Sequence, residues 1–471
     1  MGSEHDEVTP NSMISNSGFL VCELENGVLK GAPPPKEFGA GALSVLEPRG
    51  SWLHCGYHLT TSIVSPALLC LPSALAMLGW VGGVLCMTFA GVITFYAYIL
   101  LSVVLEHHAQ LGRPQFRFRD MATDILGPGW GKYFVGPLQL GLCYSVVVAF
   151  TLLGGQSLKF IYLLSNPTGT MKLYNFTIIF GALMLFLVQI PSLHSLRHIN
   201  LVSLNLCLAF SVCVTIGSIY IGNCELGFKK NNTIMEGQGS QSILAAFFAI
   251  SIVATSFSSG VFPQIQATIA PPVKTNMFKG ICISYSVIVS TYYSVAISGY
   301  WAFGNRSKGS VLANFIGDDH RPLLPTWFLL ITNLFILLQV SAATLVYLQP
   351  TNQLLEEKFI DPKSDQFSGP NIVRRLFLRL ISVIIATTLA AMLPFFGDLM
   401  ALFGAFGCIP LDFILPFIFY NLTFKPSNRS FIFWVNTLIA VICLFMAGIG
   451  AIASLYKILS DARMFRLFPN M

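Results

Sequence analysis

The stretch from Tyr57 to Trp80, YHLTTSIVSPALLCLPSALAMLGW, constrains this chain more than any other. It is long enough to cross a bilayer, which takes about 20 residues of helix. It holds no Asp, Glu, Lys or Arg, and Ser65-Pro66-Ala67 interrupts its middle. A proline there removes one backbone donor and clashes with the carbonyl a turn earlier, so the helix must kink or open. In hydrocarbon an opened backbone survives only where protein or a wet cavity covers it. From one helix alone, a simple proline kink would read the same way. A second interrupted helix near Gly260 favours the opened form, and with it a substrate pocket.

Apolar runs of spanning length recur eleven times, at roughly 55–79, 81–105, 133–163, 174–191, 199–222, 242–265, 276–303, 323–349, 372–394, 397–420 and 430–457. Only 10% of the 471 residues are charged, against about 25% in a soluble domain. The expected fold is therefore an all-α polytopic membrane protein. The net charge of +6 needs no nucleic-acid partner, because basic loops are the ordinary topology signal of a membrane protein. With the N-terminus placed in the cytosol, seventeen of the 27 Lys and Arg residues fall on the inner side. An odd number of spans then puts the C-terminus outside. The sequons at Asn175, Asn231 and Asn305 fall on the outer side in this topology, and those at Asn421 and Asn428 inside.

Residues 1–51 are polar, bear Gly31-Ala32-Pro33-Pro34-Pro35, and read as a disordered cytosolic tail. They lack a positive n-region followed by an apolar run, so no cleaved signal is expected and the first span directs insertion. Residues 52–460 form the transmembrane domain, with repeat one at about 55–222, repeat two at about 242–420 and an extra helix at about 430–457, followed by a tail at 461–471. The eleven cysteines sit mostly in apolar runs without a CxxC pair. They read as packing residues, not as a disulfide framework or a metal site. No phosphate-cradling loop, metal triad or nucleophile elbow is present, so neither an enzyme nor a bound cofactor is expected.

The sixth run reads AISIVATSFSSGVFPQIQ over 249–266. Small and hydroxyl residues from Ala254 to Gly260, then Pro263, make a poor continuous helix, although small residues also let helices approach closely. Runs one and six hold the same place in two halves of five spans, and because five is odd the halves sit inverted. Paired interrupted helices in such positions are the best sequence pointer to a transporter site. Amides opening the second half-helix, near Ala67, Leu68 and Leu69, suit a carboxylate. Carbonyls closing the first half-helices, near Thr61, Ser62, Val253 and Ala254, suit an ammonium. Thr61, Ser62, Ser65, Thr255 and Ser256 add hydroxyls. The substrate-binding set is therefore Thr61, Ser62, Ser65, Pro66, Ala67, Leu68, Val253, Ala254, Thr255, Ser256, Phe257 and Gly260.

Acids within the spans are scarce. Asp398 sits in a tight outer turn, and Asp412 lies deeper, between Pro410 and Pro416. Buried carboxylates are costly and usually mark an ion or proton path. Asp412 is thus the first coupling candidate, set against a structural hydrogen-bonding role. His54 and His58 share one face of the first half-helix, and His58 is a further candidate because imidazole titrates near neutral pH. His107-His108 and His194 to His198 read as interfacial.

Several long strings resemble the plant amino acid/auxin permease family. They are WLHCGYHLTTSIVSPALLCLP (52–72), GVITFYAYILLSVVLEHHAQLG (91–112), RFRDMA (117–122), PSLHSLRHIN (191–200), PQIQATIAPPVK (263–274), AISGYWAFGN (296–305), YLQPTN (347–352), AAMLPFFGD (390–398) and GAFGCIPLDFILP (404–416). The pattern is most similar to the family's γ-aminobutyric acid (GABA) transporter group, and the likeness runs from about Trp52 to Leu467. It implies an eleven-span fold of the inverted-repeat, leucine-transporter type. It also implies proton symport of an amino acid at the plasma membrane, driven by the proton gradient. The family's breaks fall at Ser65-Pro66-Ala67 and at Thr255 to Gly260. Three positions depart from the pattern: Gln264 stands where relatives carry an acid, Phe257-Ser258-Ser259-Gly260 replaces a Tyr-Gly-Asn-Gly-like break, and Phe150 stands where a small amide is expected.

The expected function is proton-driven import of GABA or a related small zwitterion, with the lipid bilayer and an amino acid as partners. Proline, betaine, a broad neutral set or auxin would use the same mechanism. A transporter-like amino-acid sensor is the alternative from another class. Gln264, having lost the titratable group, joins Asp412, Asp398 and His58 as a position bearing on coupling.

Overall fold

The computed structural model describes residues 24–25, 28–29, 50–166, 169–189, 193–224, 239–317, 321–359, 369–393 and 395–464. Most of the expected N-terminal tail, the sequon at Asn231 and the side chains of His194 to His198 lie outside the described residues. Apart from a two-residue ladder pairing Leu24–Glu25 with Val28–Leu29 and two isolated bridges, the described chain is helical.

The first span is α1 (Trp52–Ile63), an extended link, and a 3-10 turn at Pro66–Cys70 that runs straight into α2 (Leu71–Gln110). Ser65 precedes a proline, which forces it out of the helical region. It is extended at φ −131°, and Pro66 takes the first position of the new turn, where its missing N–H costs nothing. Inside α2, Gly79 lies at φ 73°, ψ 175°. That conformation ends span one and starts span two, two residues before the run expected at 81.

The remaining α-helices of five or more residues are α3 (Phe118–Ile125), α4 (Gly136–Ser165), α5 (Leu173–Leu187), α6 (Leu193–Asn223), α7 (Gly239–Ser256), α8 (Phe262–Gln266), α9 (Val273–Phe303), α10 (Thr326–Phe359), α11 (Gly369–Met392), α12 (Phe396–Phe403), α13 (Leu415–Phe424) and α14 (Phe431–Met464). Eight helical segments among the described residues are long and apolar enough to cross a membrane, and Leu173–Leu187 and Ile243–Ser256 are shorter apolar helices. With α2 divided at Gly79, the described residues make eleven passes. Asn175 lies in the first turn of α5, and Asn305 in the 3-10 turn after α9.

The tenth pass departs from the plain helix expected at 397–420. Between α12 and α13, residues Gly404–Ile414 wind as a π-helix with Pro410 inside. A proline cannot donate to the carbonyl four residues back, and widening the turn accommodates that lost bond. Asp412 therefore sits on an over-wide coil.

Two sets of contacts stand out in the packing, joined through spans five and seven, where α6 lies along α9. Spans one, two, six and seven pack on one another: α1 and α2 against α9, and α2 against α7. Spans three, four, five, eight and nine form the other group, with α10 along α4 and α6, and α11 along α5 and α4. Exchanging each span with its counterpart five passes later maps the one–seven contact onto six–two. Spans three–eight and four–nine map onto themselves. That is the contact pattern of a repeat of five spans, which an odd span number would invert. The breaks are also tied at their far ends, where Gly50 donates to Thr268 O at 3.0 Å and accepts from Ala270 N at 3.0 Å. A Cβ at Gly50 would stand 2.8 Å from Thr268 O, so this approach needs glycine.

Candidate functional site

Opening a helix in the membrane frees carbonyls and amides that cost several kcal/mol each if left unpaired. In span one the chain leaves the helix after Ile63. Tyr292 Oη on α9 bonds Ile63 O at 2.6 Å, Tyr347 Oη on α10 bonds Ser62 O at 3.0 Å, and Cys207 Sγ on α6 bonds Val64 O at 3.4 Å. On the far side, Leu68 N closes the 3-10 turn on Ser65 O at 3.1 Å, and the Ser65 amide donates to Tyr292. The Ser65 hydroxyl makes no capping bond. Two groups expected as vacant ligand positions are thus already used: the Leu68 amide, and the carbonyls ending the first half-helix.

In span six the helix ends at Ser256. Ser256 O accepts from the same Tyr292 hydroxyl at 2.6 Å. A phenol carries one proton, so Tyr292 serves Ile63 O and Ser256 O in turn, one hydroxyl spanning both breaks. Gly260 turns at φ 60°, a region that favours glycine. Gln139 Nε2 on α4 caps Gly260 O at 3.2 Å. The donors exposed by this break meet a carboxylate of the chain itself. Asp412, fully buried, accepts from the Ser258 hydroxyl, from Tyr98 Oη at 3.3 Å, and from the Ser259 and Gly260 amides.

Between the breaks lies a cavity of about 30 Å³, lined by Ser62, Ser65 and Ala67, by Thr255, Ser258 and Ser259, and by side chains of α4, α10, α12 and the π-helical segment. A water needs about 10–15 Å³ of such space, so a zwitterion can load only when the walls part. Ser62 and Ser259 face each other across it at 2.9 Å. Since Ser62 donates to Leu59 O at 2.9 Å, Ser259 is the donor of the pair.

Of the substrate-binding candidates, Ser62, Ser65, Ala67 and Thr255 line the cavity, while Thr61, Pro66, Leu68, Val253, Ala254, Ser256, Phe257 and Gly260 do not. The physical reason differs between them. Thr61 and Ser256 donate to their own helix, at Tyr57 O (2.8 Å) and Ile252 O (3.2 Å), the back-bonding usual for these residues mid-helix. Ser62 and Thr255 do the same and still line the cavity, so position on the helix, not back-bonding, separates them. Val253 and Ala254 lie within α7, because the helix persists two residues further than expected. Phe257, one of the departures from the family pattern, packs away from the cavity: its ring stands edge-on to Tyr292 at 5.2 Å and against Gly91. Phe150, the other bulky departure, does line the cavity.

The coupling candidates also separate. Asp412 enters break six. Asp398 is buried in the first turn of α12, where the helix dipole favours a carboxylate. His58 pairs with His54 through Nε2 at 3.0 Å near the start of α1. Gln264 is half-buried on α8. These last three do not line the cavity. The sequence reading did not single out Leu142, Val146, Tyr347, Met400 or Cys408, which do. Leu142, Val146 and Phe150 recur every four residues on one face of α4, a spacing visible in the sequence but indistinguishable there from a lipid-facing or packing stripe.

The family described as transmembrane amino acid transporter protein matches residues 48–460. The chain is 51% identical over 433 residues to GABA transporter 1 of Arabidopsis thaliana, covering 92% of this chain and 96% of that protein. It is 28% identical over 427 residues to lysine histidine transporter-like 3 of the same plant, covering 87% and 90%. Two interrupted helices meeting at a cavity within an inverted bundle of eleven passes agree with that match, and the chain belongs to the transmembrane amino acid transporter family.

Proposed function

We propose that the protein imports GABA or a closely related small zwitterion across the plasma membrane by proton symport, with its N-terminus in the cytosol and its C-terminus outside. The observation that carries this is the cavity at which both broken helices converge. Its lining holds hydroxyls and one wall of apolar side chains but no charged side chain. A substrate with a cationic side chain would find no carboxylate there to pair with, which favours GABA-like compounds over lysine-like ones. The Ala67 amide and the Ser65 hydroxyl, at the start of the second half-helix, receive the carboxylate. Hydroxyl oxygens on the span-six side receive the ammonium. Alternating access moves spans one, two, six and seven against the rest, and the gradient of protons supplies the work without a bound cofactor.

The apolar wall of Leu142, Val146, Phe150 and Met400 favours a second substrate within the same reading, a compact zwitterion such as proline or betaine. Uptake of labelled GABA and labelled proline by an uptake-deficient host, at acid and at neutral outside pH, tests both. Uptake that rises at acid pH and vanishes with a protonophore supports symport, and the better substrate identifies the pocket. Normal surface expression with no uptake from a panel of small amino acids would sink the reading and favour a sensor.

A further inference from the structure

We infer that Asp412 is the residue that takes up the coupled proton, with Tyr98 as the hydroxyl that lets both its charge states fit in the sixth-span break. This deepens the symport reading above and rests on it. Asp412 belongs to span ten, while its partners Ser258, Ser259 and Gly260 belong to the break of span six and Tyr98 to span two. The carboxylate is therefore a link from span ten to the group of spans that moves.

The chemistry of its surroundings selects the ion. Every partner of the carboxylate donates a proton: two hydroxyls and two backbone amides. A metal cation bound there would meet two N–H groups and, beside the carboxylate, only two hydroxyl oxygens, so this shell suits a proton better than sodium. The titratable groups facing Asp412 are Tyr98, Tyr285, Tyr347, Cys143 and Cys408. None of them is a cation, so among the described residues no fixed positive charge holds the carboxylate ionised.

A merely structural carboxylate with four donors would lose its arrangement on protonation, because its new O–H would point at another donor. Here a second acceptor stands ready. Tyr98 Oη lies 3.3 Å from Asp412 Oδ1 and 3.4 Å from Phe257 O. The Tyr98 ring is stacked on Phe262 at 4.7 Å with 10° between planes, so only the O–H bond needs to turn. When Asp412 accepts a proton, Tyr98 donates to Phe257 O and its oxygen accepts from the new carboxyl O–H. One proton is gained, no buried donor is orphaned, and the charge tying span ten to the break is gone.

The test uses the full chain in liposomes. In difference infrared spectra between acid and neutral buffer, a protonated-carboxyl band should rise in the wild type, vanish in Asp412→Asn and shift in Tyr98→Phe. With labelled GABA as probe, Asp412→Asn should still exchange GABA across the membrane but lose uphill accumulation when the outside is acid. Asp412→Glu, which keeps a titrating group if Asn fails to fold, should still accumulate GABA with a displaced pH midpoint. An infrared band unchanged by Asp412→Asn, uphill accumulation by that variant, or an undisplaced midpoint in Asp412→Glu would each overturn the inference. A wild type that neither exchanges nor accumulates GABA or any small amino acid would instead sink the transport reading, while the infrared band would still decide whether Asp412 titrates.

Discussion

The two breaks occupy equivalent places in the two halves of the chain and both have carbonyls closed by side chains, yet their amides are met in different ways. Break one has its carbonyls closed by side chains of spans five, seven and eight, and it turns toward the cavity with the Ser65 hydroxyl and Ala67. Break six has its amides closed by Asp412, so its donors are already spent on an anion that belongs to the protein. One architectural device, used twice, thus gives one half a set of donors for a ligand and the other a seat for a carboxylate. The inversion places them against each other, joined by Ser62 with Ser259 and by the Tyr292 hydroxyl.

The comparison can be broken most severely at Gly404, where a Cβ would be driven into the backbone carbonyl of Ser251 on α7. Gly404→Val should abolish folded protein, read as loss of the monodisperse peak in detergent, because span ten could no longer lie on span six. Next in size is Tyr292→Phe. It removes the hydroxyl that serves both breaks and should cost about 1–3 kcal/mol, the usual penalty for orphaned buried polar groups. A thermal midpoint in detergent equal to the wild type would show that the breaks are held independently.

Gly260→Ala sharpens the contrast. At φ 60° an L-residue costs about 1–2 kcal/mol, and the new Cβ would stand 3.2 Å from Leu142. Ser65 at φ −131° tolerates any side chain, so Ser65→Ala should leave the thermal midpoint unchanged while weakening substrate binding. Equal midpoints for the two variants would contradict a need for glycine in break six alone. The smallest effect belongs to Gln264→Glu. Because the carboxylate of break six is Asp412, restoring an acid on α8 should leave uptake and its pH profile unchanged, and a shifted profile would give coupling a second site.

Much of the fold was legible in the chain. Eleven apolar runs and the prolines at 66 and 263 are one-dimensional signals, since hydrocarbon permits few ways to satisfy a backbone. The π-helical turn at Gly404–Ile414 was less legible: Pro410 announces a disturbance, but only the packing against α7 and α14 decides that the coil widens instead of kinking. Candidate site residues divided along the same line. Ser62, Ser65, Ala67 and Thr255 stand beside a break and line the cavity, whereas Tyr347, Met400 and Cys408 reach it from spans eight and ten.

By itself the sequence determined that the chain spans the membrane, where its helices open and that a carboxylate lies buried in the tenth span, because burying polar backbone or charge in hydrocarbon is too costly to occur without cause. Only the tertiary structure decided which hydroxyls face the cavity and which do not. Thr61, Ser62 and Ser256 all donate to carbonyls of their own helix, and of the three only Ser62 also lines the cavity and meets Ser259. The tertiary structure also decided that Asp412 faces donors alone, since hydrogen-bond partners 154 and 314 residues away in the chain are set by how spans two, six and ten pack.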